Sequence, residues 1–332
     1  TVDAEPAQRT LAEETTRFSD SLAEGASATA NLVSHLIGLP GILSEVTEGL
    51  RGVTRDMRDL VQLENDLPQQ HQRNEAMNAA QHLVTLGPIA VEAIDKTMLD
   101  LARAIPLFRD VIPKFTREDP EALLMVEFDE GDEENERRLK RLNEMMGDLG
   151  FSWDKIGAKW GGVVEVRDAA LQTAMAEVRA AGLNIMMSMK DERKPVSFIE
   201  DCAVPLEHLA EYTAALTEVF ARHDTRGTWY AHASVGTLHV RPILDMRRDG
   251  AQKMREIAEL ASALVREYKG AYSGEHGDGL VRSPFIRKMF GERIYEAFRE
   301  IKRTADPEGI LNPGKIVDPP PLTDNLRFGV GD

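Results

Sequence analysis

Seven residues, Ala122-Leu123-Leu124-Met125-Val126-Glu127-Phe128, form an apolar run that is too short and too uniform for a surface helix. Such a run reads as a central strand, and a buried strand needs other elements over its faces. The neighbouring segments can supply them. Asn78–Leu86 has helical spacing and stops at Gly87-Pro88, Val91–Asp95 opens a further element, and Thr97–Ala104 is again helical. Downstream, the acids of Asp129–Glu136 lead into a helix through Leu139, Leu142 and Met146. An acidic first turn complements the helix dipole, so these acids read as capping and solvated surface rather than as a metal site.

The same order recurs. Val196–Pro205 reads as a strand ending in a turn, followed by a helix through Leu209, Tyr212, Leu216 and Phe220. Gly227–His232 and Thr237–Arg241 are two further strands, and Ala251–Tyr268 is a long amphipathic helix. The pattern predicts an α+β fold in which helices cover a largely antiparallel sheet. Residues 1–76 read instead as a helical arm or linker: Leu32, Val33, Leu36 and Ile37 fall at helical spacing before Gly38-Leu39-Pro40-Gly41, and Asn65–Arg73 is linker-like. This division gives a main domain over 77–318 and a C-terminal tail over 319–332.

Charge narrows the function. Asp and Glu number 56 against 40 Lys and Arg, a formal net charge of −16, which argues against a nucleic-acid partner. A small anion would still bind in a locally basic pocket. Cys202 is the single cysteine, so the chain has no internal disulfide and no all-cysteine metal or iron–sulfur site, as suits a reducing compartment. No stretch approaches the roughly 20 apolar residues of a membrane span. The start at Thr1 shows no basic-then-apolar leader, and the expected location is the cytoplasm, free or peripheral to a membrane.

Three clusters carry chemistry. In Tyr230–Arg241 two histidines, His232 and His239, flank a turn of small residues containing Gly236. On paired strands their imidazoles would converge, as a divalent metal requires, although two histidines on strands also serve purely structural ends. In Tyr272–Gly279 three glycines hold Glu275, His276 and Asp278 on a tight backbone, a costly choice for packing alone. The acids would repel phosphate, so a carboxylate ligand beside a proton-accepting histidine fits better than a phosphate loop. In Asp306–Ile316 a helix stop precedes consecutive turns, which place Asn312 and Lys315 on a rigid segment or simply end the helix.

Together these clusters resemble the C-terminal domain of the FAD-linked oxidases, the family of D-lactate, glycolate-oxidase and D-2-hydroxyglutarate dehydrogenases. The resemblance runs from about Met77 to Val317. Its motifs keep the family's order: Gly87–Glu92, Arg179–Leu183, Glu200–Pro205, the paired histidines, Gly274–Gly279 and Asn312-Pro313-Gly314-Lys315. The histidine segment looks closest to large bacterial members that carry FAD and iron–sulfur modules on one chain.

The resemblance implies a ferredoxin-like cap domain and a D-2-hydroxy acid as substrate. It implies that His232, His239 and Glu275 hold a divalent metal, zinc, and that His276 takes the hydroxyl proton as hydride passes to the flavin. Arg179, Lys194 and Arg241 would bind the anionic substrate, and Glu275, His276, Asn312 and Lys315 would line the FAD. The implied partners are an FAD-binding domain and an iron–sulfur electron acceptor, with homo-oligomerisation left open. Residues 1–76 show no Gly-rich pyrophosphate loop, so the expectation is a substrate domain that is catalytically poor alone. Ala176 stands where the family has tryptophan, and Val235, Thr237 and Arg241 also depart from it, which bears on substrate identity more than on reaction type. The competing readings are a non-catalytic organic-acid or metal-binding module and, less in keeping with the motifs, a metallohydrolase.

Overall fold

The computed structural model describes residues 70–154 and 158–327, so the helical arm expected from the N-terminal segment lies outside the described residues. Helix α1 spans residues 70–83 and crosses Met77, the expected start of the main domain. In chain order there follow β1 (Ala90–Asp95), α2 (Lys96–Ala104), β2 (Ala122–Glu127), α3 (Asp132–Asp148), β3 (Phe151–Ser152), β4 (Lys159–Trp160) and α4 (Ala169–Ala180). The second half runs β5 (Lys194–Pro195), β6 (Cys202–Ala203), α5 (Leu209–Arg222), β7 (Gly227–His232), β8 (Thr237–Leu244), α6 (Gly250–Glu267) and α7 (Glu292–Ala305). The main sheet is ordered β2-β1-β7-β8-β5, with β6 also on β8, and all of its pairings are antiparallel. The α+β reading therefore holds. No helix of the described residues is long and apolar enough to cross a membrane.

Two expectations need correction. Ala122–Phe128 is not central: β2 lies at the sheet edge, paired with β1. Its uniform apolarity has another cause, partial cover on both faces. Leu123 and Met125 pack with Ile94 and Met98, whereas Leu124 and Val126 pack toward Leu83 and Leu142. Nor is Val196–Pro205 one strand. Asp201 adopts a left-handed φ of 63°, and the segment holds only the two-residue strand β6, with the equally short β5 ending just before Val196; both pair with β8.

The strands β1, β7 and β8 alternate strictly. Val91, Ala93, Trp229, Ala231, Leu238 and Val240 enter the main core, where α5 contributes Leu209, Tyr212, Leu216 and Phe220 and α6 contributes Met254, Ile257, Ala261 and Val265. The residues between them point the other way, as a period of two demands. The register places Glu92 beside His232, Tyr230 beside His239 and Thr228 beside Arg241. The opposite face is apolar toward β2, where Ile94 packs with Met98 and Leu99, and polar over β7 and β8, where the sequence's candidate residues meet.

Candidate functional site

His232 and His239 lie seven residues apart, an odd spacing that would put them on opposite faces of a single strand. The hairpin removes the conflict. Ala233–Val235 forms one short helical turn, Gly236 takes a left-handed φ of 72°, and His232 then pairs with Thr237, two residues before His239. A Cβ on Gly236 would stand 2.0 Å from the Val204 carbonyl oxygen, so glycine is required both by conformation and by space. The imidazoles become diagonal neighbours with ring centroids 4.9 Å apart.

The Gly-rich loop brings Glu275 onto this pair. Its carboxylate lies 3.7 Å from His232 Nε2 and 3.3 Å from His239 Nε2. One donor atom from each of His232, His239 and Glu275 falls within 4.8 Å of the others, a set that could hold a metal ion. Two details favour a ligand set over a chance cluster. His239 Nε2 is buried without an aligned hydrogen-bond partner, an orphan that costs free energy unless something else binds it. His232 Nδ1 sits 2.8 Å from Glu92 Oε2, and because a carboxylate only accepts, the proton belongs on Nδ1 and the lone pair on Nε2, facing the cluster. A carboxylate behind a ligating histidine is the usual support at metal sites.

Charge distribution follows from these contacts. Burial would raise the Glu92 carboxyl, but hydrogen bonds from His232 and Tyr230 and the charge of Arg179 outweigh it and leave its pKa lowered. The hydrogen bond to Glu92 raises that of His232. Burial, with the neighbouring His232, lowers that of His239. Cys202 plays no part as a nucleophile: burial pushes its thiol up to about 12.

His276 completes the cluster. Its Nε2 is 3.8 Å from Glu275 Oε2, and its Nδ1 is 3.6 Å from Glu200 Oε1. Of the cations expected nearby, Arg179 donates from the end of α4 to Glu92 Oε1 at 3.0 Å and lies 3.4 Å from His232 Nδ1. Arg241 follows His239 on the same face and forms an ion pair with Glu200. Lys194 does not join them, which corrects the expected convergence of three cations. β5 pairs opposite Leu244, five residues or about 17 Å of strand beyond His239, and the ammonium bonds the Met189 carbonyl. Asn312 is exposed with a left-handed φ of 47°, and Lys315 bonds the Pro313 carbonyl at 3.2 Å; their turn hangs from Asp306, which accepts from the Ile310 and Leu311 amides.

Five polar residues entered the site without a sequence assignment: Glu92, Tyr230, Glu200, Asp201 and Arg282. Glu92 was at most half legible, because Asp95 shares its short strand and only the folded sheet tells which of the two acids faces the site. Asp201 lay within the Glu200–Pro205 motif but received no role, because that role depends on a loop more than 70 residues downstream.

Residues 72–316 match the family described as FAD linked oxidases, C-terminal domain. The chain is 31% identical over 314 residues to a D-2-hydroxyglutarate dehydrogenase of Escherichia coli (strain K12), covering 91% of this chain and 29% of that protein. A D-2-hydroxyglutarate dehydrogenase of Pseudomonas putida is 32% identical over 252 residues, 74% of this chain and 24% of that protein. A D-lactate dehydrogenase of Archaeoglobus fulgidus is 28% identical over 295 residues, 88% of this chain and 59% of that protein. The chain thus spans under a third of the length of the first two relatives.

Proposed function

The chain belongs to the FAD-linked oxidase C-terminal domain family, and we propose on that footing that it is the substrate- and metal-binding half of an FAD-dependent dehydrogenase that oxidises a D-2-hydroxy acid to the 2-oxo acid. The observation that carries this reading is the convergence of His232, His239 and Glu275 within 4.8 Å on the polar face of the sheet, with His276 alongside. Two imidazoles and one carboxylate suit zinc. Bound there, zinc would polarise the substrate's 2-hydroxyl and lower its pKa.

The chain's own residues supply the rest. Glu92 fixes His232 with its Nε2 lone pair toward the substrate side. Arg179, beside His232, offers its free guanidinium edge to the substrate carboxylate. His276 takes the 2-hydroxyl proton, and a flavin carried by an FAD-binding domain outside residues 72–316 would accept the C2 hydride. An iron–sulfur centre would accept the electrons from the flavin, and the cytoplasm suits the single buried thiol. Around the cluster stand four carboxylates (Glu92, Glu200, Asp201 and Glu275) against three guanidiniums (Arg179, Arg241 and Arg282). An anionic substrate therefore depends on the metal for a net positive site. Arg241 is the residue on this face that would read a second carboxylate, in competition with Glu200, which favours the 2-hydroxyglutarate of the E. coli and P. putida relatives' names over a monocarboxylate.

The test is anaerobic flavin bleaching by D-2-hydroxy acids in the complete FAD-containing protein. His276→Ala should slow bleaching by on the order of 10²–10⁴-fold while zinc content stays at the parent level. Bleaching at the parent rate removes His276 from the chemistry. Failure of every 2-hydroxy acid to bleach the parent replaces the dehydrogenase with the non-catalytic organic-acid module.

A further inference from the structure

The first half of the loop bearing Glu275 and His276 is anchored by one side chain. Asp201 is fully buried. Its Oδ2 accepts from the backbone N–H groups of Glu275 at 2.9 Å and His276 at 2.6 Å, and from Ser273 Oγ at 3.3 Å. Two successive amides aimed at one anion make a nest of the kind that binds phosphates and clusters elsewhere, here filled by the protein's own carboxylate. The other oxygen, Oδ1, faces Arg282 Nη2 at 2.8 Å. Arg282 in turn donates to the Gly277 carbonyl at 3.2 Å and to the Glu200 carbonyl, so it grips the far end of the same loop.

The backbone of Asp201 ties this nest to the histidine hairpin. Its N–H donates to the Leu238 carbonyl at 2.7 Å, the residue immediately before His239, and its carbonyl accepts from Gly274 N–H at 2.8 Å. A Cβ on Gly274 would come 2.9 Å from that carbonyl oxygen and 3.2 Å from Ala203 Cβ, which is why the loop can lie so close. One residue therefore spans from β8 to the loop and sets the separation between His239 and Glu275.

We propose that Asp201, charge-paired with Arg282, is a positioning residue that templates the Gly274–Gly279 loop and thereby fixes Glu275 and His276 against the histidine hairpin. This assignment rests on the proposed roles of Glu275 and His276 for its functional consequence, but not for its structural one. The carboxylate is needed because its two oxygens serve two different clients: an amide side chain leaves either the nest or Arg282 facing an N–H group.

The experiment compares the complete FAD-containing protein with Asp201→Asn and with Asp201→Asn/Arg282→Gln, the double variant guarding against a fold lost to an unpaired buried guanidinium. Zinc affinity, by chelator competition, should weaken on the order of 10–100-fold, as for other residues supporting a metal ligand. Flavin reduction should slow with it, and the Glu275 and His276 amides should exchange hydrogen faster while α5 keeps its protection. The double variant should regain thermal stability without regaining zinc affinity. Parent-like zinc affinity together with parent-like protection at Glu275 and His276 in either variant overturns the proposal. If the parent itself binds no zinc and reduces no flavin, the proposed function is what fails. Amide exchange then decides Asp201 alone: faster exchange upholds the template, unchanged exchange overturns it.

Discussion

The two faces of β1, β7 and β8 are built from the same eight- or six-residue strands, yet they obey different rules. One face is a continuous apolar surface, Val91, Ala93, Trp229, Ala231, Leu238 and Val240, sealed by α5 and α6. The other gathers Glu92, Tyr230, His232, His239 and Arg241, ionisable or polar groups whose desolvation is offset by mutual contacts except at His239 Nε2, the atom left for a metal. The apolar face specifies register, since a slip of one residue would bury the histidines and expose Trp229. With register secured there, the polar face is free to place chemistry. Folding and function are thus separable along a single strand, residue by residue.

That separation can be broken experimentally. The largest effect belongs to the apolar face: Trp229→Ala should lower stability by about 3–5 kcal/mol, read from the urea midpoint, with the zinc affinity of the folded fraction unchanged. A large loss of zinc affinity in folded Trp229→Ala protein would show that the faces are coupled. Next comes Glu92→Gln on the polar face, expected to weaken zinc binding on the order of 10–100-fold while shifting the urea midpoint far less than Trp229→Ala. Parent-like zinc affinity in this variant would remove Glu92 as the support of His232.

The smallest effect is a pH dependence of the metal-free protein. The raised pKa of His232 means its contribution to stability is fully present below the unfolded imidazole value, about 6.5, and is lost as pH rises through the folded one. The lowered pKa of Glu92 means its contribution is present above the unfolded carboxylate value, about 4.3, and is lost as pH falls through the folded one. The pair therefore stabilises most between those limits. Glu92→Gln should cost more stability at pH 6 than at pH 8, and an equal cost at both would show that the two groups do not titrate as a pair.

What the sequence revealed followed the same division. The alternation of Gly227–His232 and Thr237–Arg241 and the helical spacing of Leu209, Tyr212, Leu216 and Phe220 are local patterns, and the structure reproduces them. The run Ala122–Phe128 was legible as a strand but not as an edge, because apolarity reports cover on two faces and says nothing of neighbours in the sheet. The break in Val196–Pro205 was hidden because Asp201 adopts a conformation that its residue type does not demand. At the site, the residue types of His232, His239, Glu275 and His276 announced their chemistry. Glu92 and Asp201 did not, since their partners lie 140 and 74 residues away and only the folded sheet brings them together. Lys194 was misplaced for the converse reason: the family resemblance implied a role that its position opposite Leu244 does not support.

The central claim is that the polar face of this sheet is a metal-dependent substrate site, and zinc content tests it most directly. The protein, loaded with zinc and then dialysed, should retain stoichiometric metal. The His232→Ala/His239→Ala variant, shown to be folded by circular dichroism, should retain almost none. Equal zinc in both proteins would contradict the account.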